Sequence, residues 1–530
     1  MRRISFAALG LVALCLLGCS KGFSERGDAA LEGVFRYPIV SEPTSLDPAF
    51  VQDGDTLDLI QQIYEGLVTW GTDNEPVGAL AESWDIEDGG LRYVFHLKRG
   101  VLFHSGRECK AQDVKWSFER NADPGLASPI FEAYLSDIVG LSERVRGDAD
   151  DIEGVQVIDD YTIEIRLKQP TPYFLGKLIF LTSAALDKDY VPRGREMTDV
   201  RQMVGTGPFK IVQHERKQMD VLEAFQDYHG GAPKLKRIER MVIKDAMTRL
   251  NKYKKGDLDM VMLARQDLDG LKGTEFESHL RIFPRPAIWY IGLNQEKFEP
   301  FRDKRVRQAF AMVIDKERIV NEILGGHNVI ANSIVPPFVP GHRPDAPALP
   351  FDPIRAKQLF AKAGYPEGKG FPEMILTFRE DRPDIKLAAI TVAENLKTHL
   401  GIIVTLQTME WRAYIIKFNN HDQVFFHMRW AADYLDPQNF LSHMLATFGP
   451  ENKIGYNNPE FDRLCKLADS MMEMEKRIPL YQEAEDILLD DAVWIPLYFQ
   501  SDAELHRPGL SGLRESVFGH LPHTTTEMKR

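Results

Sequence analysis

Cysteine is scarce, with four in 530 residues. Cys15 lies in an apolar N-terminal run, and Cys109 and Cys465 stand far apart with no CxxC pair. That excludes a disulfide framework for a chain this long and leaves two buried, unpaired thiols as the expectation. A basic excess is also missing. Acidic residues outnumber basic ones 78 to 65, for a net charge of −13. A chain of that sign is unsuited to nucleic acid or an anionic membrane surface as its main partner. The familiar catalytic signatures are absent: no GxxxxGK[ST], no GxGxxG behind a strand, no HExxH, HxH or GxSxG. The glycine-rich "GTGPFK" (205–210) reads as a turn, because Pro208 removes an amide that a phosphate cradle would use. Fourteen histidines are scattered, and His421 and His427 lack metal spacing, so histidines read as surface or core residues. Asp159-Asp160 and Asp490-Asp491 read as solvated turn or helix-end charges. A triad spread along the chain would escape such a scan. With no nominated nucleophile, base or metal centre, binding is favoured over catalysis and no cofactor is expected.

What is present starts at the N-terminus. "MRR" precedes "ISFAALGLVALCLL", an apolar run of fourteen residues, short of the ~20 that span a bilayer. It closes on Leu-Leu-Gly-Cys, which resembles the lipobox of a bacterial lipoprotein signal, with Leu17 where Ala, Ser or Thr is more usual. That resemblance implies a signal peptide at 1–18, lipidation of Cys19 and a flexible tether at 19–32. The remaining length calls for two or three domains.

Strands and helices alternate along the rest of the chain. "GVFRYPIV" reads as a strand. "TLDLIQQIYEGLV" sets Leu57, Ile60, Tyr64 and Leu67 on one helical face with Asp55 as its cap. "LRYVFHL" and "YTIEIRL" alternate as half-buried strands do. "DPIRAKQLFAKAG" has an Asp cap, Pro353 in the first turn and Gly364 as its stop. The helix "DIKLAAITVAENLKTHLG" is followed by the strand "IIVTLQTM", an order that predicts α/β layering.

The segment "RWAADYLDP" (429–437) follows "QVFFHM", which reads as a buried strand. It places Asp433 among a tryptophan, two alanines and a tyrosine. A buried carboxylate without a partner costs several kcal/mol, on the order of a domain's net stability. Asp433 is therefore exposed, or a cation meets it. Pairing with Arg429, capping a turn at Pro437 and anchoring a cationic ligand are all open at this point.

Several stretches, in order, resemble one family. They are "EPTSLDPAF", "IYEGLVTW", "LAESWDIEDGGLRYVFHLKRGVLFHSGRECKAQDVKWSFER", "GTGPFK", "PFRDKRVRQAFAMVIDKERIV", "AKQLFAKAGYPEGKGFP", "WAADYLDP" and "YNNPEFDRL". Together they are similar to the extracytoplasmic solute-binding proteins of ABC importers, the oligopeptide-, dipeptide- and nickel-binding receptors of family 5. The likeness covers roughly 33–505. Within the family, "ADPGLASPIFEAYL", "DDYTIEIRLKQPTPYF" and "WAADYLDPQNFL" look most like oligopeptide-binding members. The resemblance implies an α/β fold of the periplasmic-binding-protein type II kind, two lobes with a hinge plus an inserted domain. Lobe I would comprise 33–76, 200–285 and 495–530, the inserted domain 77–199, and lobe III 286–494. It also implies a bacterial, membrane-anchored protein of the periplasm or cell surface, monomeric. Such a protein captures short peptides and delivers them to a permease driven by ATPase subunits, with no catalysis of its own. A nickel chelate, a sugar, a signalling peptide or a sensory role without transport are the alternatives the fold allows.

In such relatives the Asp of "ADY" pairs with the α-ammonium of the peptide, and Asp433 matches it. Trp430 and Trp411 fall where side-chain pockets are lined, with a core aromatic as the other reading of each. Tyr498 and Gln52 correspond to first-lobe contacts. The chain departs from the pattern at two places. His427 stands where relatives have an arginine for the peptide carboxylate, and Arg429 where they have glycine. Either Arg429 takes over the carboxylate, or it fills part of the pocket. Arg379, Arg382 and Lys386 are further cationic candidates.

Overall fold

The computed structural model describes residues 32–51, 53–380 and 383–530. Residues 1–18, Cys19, Gln52 and Arg382 lie outside them, as does all of the expected tether except Glu32. Three larger sheets organise the described residues. In the first, Val34–Ile39 runs parallel to Arg237–Val242, followed by antiparallel Met219–Ala224 and Phe209–Glu215. The second is an antiparallel sheet in the order Ala81–Glu87, Arg92–Leu97, Thr162–Arg166, Val155–Asp159. Tyr93, Phe95, Ile163 and Ile165 alternate into its core, as the strand pattern predicts. The third sheet runs Met260–Met262, Trp494–His506, Leu280–Leu293, Phe425–Ala431, Met374–Arg379, Val404–Met409, and Val329–Ile330 joins at Trp494–His506.

That third sheet links the two lobes. Leu280–Pro284 pairs with Ser501–Leu505, next to Met260–Met262. Ile288–Gly292 pairs instead with the start of Trp494–His506, and Ala287–Leu293 with Phe425–Ala431. The register slips between Pro284 and Ile288 and again between Trp289 and Tyr290. "FPRPA" explains the first slip, since Pro284 and Pro286 offer no ladder N–H. Two hydrophobic clusters drawn wholly from residues 288–499 cover the two faces of the inner half. The outer half packs with Leu250, Tyr253, Leu258 and Val261. Two strands weakened by bulges are thus the chain's passage between lobes, a geometry suited to hinge bending.

Local signals were mostly followed. Pro353–Lys362 is capped by Asp352 and stopped at Gly364, φ 103°, and Pro383–Leu400 stops at Gly401, φ 73°. Cys109 and Cys465 are free and buried. The expected cap of the first helix is corrected. The helix spans Gly54–Ile63, and it is Asp53 whose carboxylate accepts from Thr56 N at 2.9 Å. Asp55 accepts from Ser41 N instead. Leu67 lies beyond the helix and packs in the core of the second sheet. "GTGP" is a turn because Gly207 N donates to Ile63 O at 2.9 Å, and a Cβ on Gly205 would stand 2.1 Å from that same oxygen. Leu181, Ala184, Leu186, Val191 and Met197 pack into the core of the first sheet, although 77–199 was expected to form one inserted unit. Among the described residues no helix is long and apolar enough to cross a membrane.

Candidate functional site

The site begins with the strand Phe425–Ala431. Alternation sends Phe426, Met428 and Trp430 to one face of the sheet and His427 and Arg429 to the other. The chain then leaves the strand through Ala432 to Asp433. Asp433 N donates to Asn439 Oδ1 at 3.0 Å, and Trp430 Nε1 donates to Asn439 O at 3.0 Å and Oδ1 at 3.2 Å. One asparagine thus fixes both the indole and the backbone of the carboxylate. Asn439 closes the short helical turn Pro437–Asn439, which Asp436 caps through Gln438 N at 2.9 Å. Asp436 also receives a fork from buried Arg477 at 2.7 and 2.9 Å. A buried bidentate pair of this kind is rigid, and removing one partner typically costs about 3–5 kcal/mol. The acid of "DYLDP" that caps the turn and meets an arginine is therefore Asp436, not Asp433.

Asp433 faces the other lobe. Its carboxylate interacts electrostatically with the phenol of Tyr134 and accepts a long hydrogen bond, 3.5 Å, from Asn439 Nδ2. Tyr134 comes from the helix Phe131–Leu135 and stacks on Phe180 at 4.2 Å. Beside it Tyr173 stacks on Tyr434 at 5.4 Å with planes 6° apart. Gly176 lets this approach happen, since a Cβ there would lie 2.8 Å from Tyr434 Cβ. Trp70 and Leu521 complete the aromatic contact between lobes. Asp433 sits deep in this interface yet keeps part of its surface accessible. Burial pushes its pKa up to about 6, the interactions with Tyr134 and Asn439 oppose the rise, and Glu451 adds to it. Among the described residues no lysine or arginine lies within salt-bridge distance of Asp433. Ionised with neutral partners alone, it carries a penalty on the order of 3 kcal/mol. Around it, Glu451 is raised by burial, and His443, 5.6 Å from Trp430, is pushed down to about 4 and so is neutral.

The other expected residues divide. Trp430 is half-buried beside Asp433. His427 is fully buried on the opposite face, its ring 5.3 Å from Trp289, with a pKa pushed down to about 3. It supplies no positive charge there, and its ring nitrogens have no hydrogen-bond partner among the described residues. Arg429 is paired in register with Trp289 on that same face. Tyr498, 3% exposed, also pairs with Trp289 and stacks on it at 6.0 Å. These three belong to one ladder across three strands, separate from Asp433. Trp411 opens the helix Trp411–Asn419, 36% exposed, with the Arg379 guanidinium 3.8 Å above its ring. Lys386 is exposed on its helix. Tyr134, Asn439, His443 and Glu451 were not singled out from the sequence, although "PIFEAYL" and "DPQNF" hold the first two.

Met374–Arg379 pairs with Phe425–Ala431 at Leu376↔Phe425 and Thr377↔Phe426, while Leu280–Leu293 pairs with the other side from Phe425 to Ala431. Continuing the register, Arg379 falls level with Met428, with Trp411 beside it.

Two α/β lobes joined by a pair of crossing strands, with a carboxylate where the lobes meet, define a receptor that closes on a solute. The chain belongs to the bacterial extracellular solute-binding proteins, family 5, whose middle-region model matches residues 75–452. It is 31% identical over 497 residues to the probable deoxycholate-binding periplasmic protein of Escherichia coli K12, covering 91% of each chain. It is 31% identical over 546 residues to heme-binding protein A of Haemophilus influenzae, 97% of this chain and 96% of that one. The periplasmic oligopeptide-binding protein of Escherichia coli K12 is 29% identical, with 89% and 88% covered. Among solved structures, an oligopeptide-binding protein of Borrelia burgdorferi matches with TM-score 0.81 at 27% identity, over 93% of this chain and 99% of that one. The murein tripeptide-binding protein of Escherichia coli matches with TM-score 0.81 at 25% identity, over 94% and 98%.

Proposed function

We propose that this protein captures short peptides between its lobes and hands them to the permease and ATPase subunits of an ABC importer. The observation that carries the reading is Asp433, a carboxylate at the lobe interface, held by neutral partners, with a pKa of about 6. A peptide's α-ammonium supplies the missing cation, and the charge-assisted hydrogen bond is strong in a site dried by closure. Met374–Arg379 pairs with this strand only as far as Thr377↔Phe426, and a peptide main chain laid alongside Trp430–Ala431 would extend the sheet there, which supports the same reading. Trp430 and His443 then border the first side chain. The ligand stabilises the closed state because Asp433 comes from one lobe and Tyr134 from the other.

The expected lobe bounds enter this proposal with 181–199 grouped with lobe I and 495–499 with lobe III. Cys19 is the proposed lipid anchor, and the protein acts as a monomer without chemistry of its own. Two relatives carry deoxycholate and heme in their names. Both ligands bear carboxylates, and an ionised Asp433 repels them, so the acid itself favours peptides.

The test is a thermal-shift screen with mixed di- to hexapeptides, deoxycholate and heme in parallel. Saturation near 100 times Kd should add about 2.7 kcal/mol of stability. Stabilisation by peptides alone supports the reading. Stabilisation by deoxycholate or heme, with none by peptides, refutes it.

A further inference from the structure

A second constellation lies at the far end of the hinge strands. Glu504 and His506 are two residues apart on Trp494–His506, so both side chains leave one face. The hairpin Glu515–Ser516/Gly519–His520 returns His520 to them. Glu504 Oε2 lies 2.8 Å from His506 Nε2 and 2.8 Å from His520 Nε2. All three donor atoms fall within 4.8 Å of one another. The side chains are 3%, 10% and 11% exposed. Phe283 covers the group, its ring 5.7 Å from His506 and 6.1 Å from His520.

We propose that Glu504, His506 and His520 form a binding site for a divalent transition-metal ion of the zinc kind. Two imidazole nitrogens and one carboxylate oxygen form a donor set that zinc accepts, with a fourth position open to water. Bonds of about 2.0–2.1 Å in a tetrahedron put ligand atoms about 3.3 Å apart. The two Glu504–imidazole separations of 2.8 Å need to open by only about half an ångström for an ion to replace the bridging hydrogens. The ion would meet the Glu504 carboxylate in a site nearly closed to water.

The location gives the ion a consequence. Glu504 pairs in register with Arg281, on the first-lobe side of the register break at Pro284. The hairpin carries Ser516, whose carbonyl accepts from Arg285 Nη1 at 3.2 Å, and Phe518, which stacks on Trp70 at 4.6 Å. A bound ion ties this hairpin to the hinge strand and stiffens the base of the hinge, next to the interlobe contact of Trp70 and Leu521.

The full chain, purified in mild detergent and treated with chelator, is titrated with Zn2+ by calorimetry and with Co2+ by visible absorption. One ion per chain is expected, with the intense d–d bands of a tetrahedral cobalt site. His506→Ala, His520→Ala and Glu504→Gln each weaken binding by about 100-fold or more and remove the bands. Each variant's circular dichroism establishes that it is folded, and Glu504→Gln, which keeps the side-chain shape, stands in for any alanine variant that is not. Absence of saturable Zn2+ binding by the wild type overturns the proposal, as does equal binding by folded variants.

Discussion

The phenol of Tyr134 and the carboxylate of Asp433 interact electrostatically across the interface between lobes. Tyr134 stands on a short helix packed against the second sheet and Asp433 just past a strand of the third.

Tyr134→Phe keeps the stacking on Phe180 and deletes the hydroxyl. At the strength of a hydrogen bond to a charged group, its interaction with Asp433 contributes about 1.5–3 kcal/mol. Peptide affinity should fall about tenfold or more, with the unfolding midpoint nearly unchanged. Calorimetric titration checks this, and unchanged affinity removes Tyr134 from the site.

The raised pKa of Asp433 has a pH signature. Between the unfolded value, about 4, and the folded value of about 6, the folded state holds a proton that the unfolded state has lost. Stability from this group is present below that window and is lost as pH rises through it, by about 3 kcal/mol in all. Asp433→Asn lacks the loss. Denaturant unfolding should find the variant increasingly more stable than wild type from pH 4 to pH 7, and parallel pH curves would contradict this. Peptide affinity should also weaken about tenfold per pH unit below 6.

Asp436→Ala strands the buried Arg477 guanidinium. About 3–5 kcal/mol of stability should be lost in denaturant unfolding. A loss below 1 kcal/mol would mean that the pair does not hold the Pro437–Asn439 turn.

Gly176→Val places methyl groups where Tyr434 packs. It should hold the lobes apart and weaken peptide binding at least tenfold, because closure pays for capture only when the interface forms. Small-angle scattering in saturating peptide reads the effect directly. A variant that compacts like wild type would contradict it.

Much of the fold was legible because its signals are local. Asp352 with Gly364, and the alternation of Tyr93 and Phe95, each act within one element. The cap at Asp53 was misassigned because two acids flank Gly54 and only the geometry separates them. The site was half legible. Asp433 is conspicuous as a carboxylate in an apolar run, but its partner Tyr134 lies far back in the chain and Arg477 meets Asp436 instead. His427 and Arg429 looked adjacent to Trp430 in sequence, yet alternation turns them to the other face. Glu504, His506 and His520 were invisible because a hairpin, not a motif, gathers them.

The central claim is that Asp433 holds a peptide's N-terminal ammonium. Calorimetric titration of one tight-binding peptide and its N-acetylated twin, into wild type and Asp433→Asn, tests it most directly. The account predicts that acetylation costs wild type at least 100-fold in affinity and the variant almost nothing, since a charge pair deleted from either side is lost once. Equal binding of both peptides by wild type would contradict it.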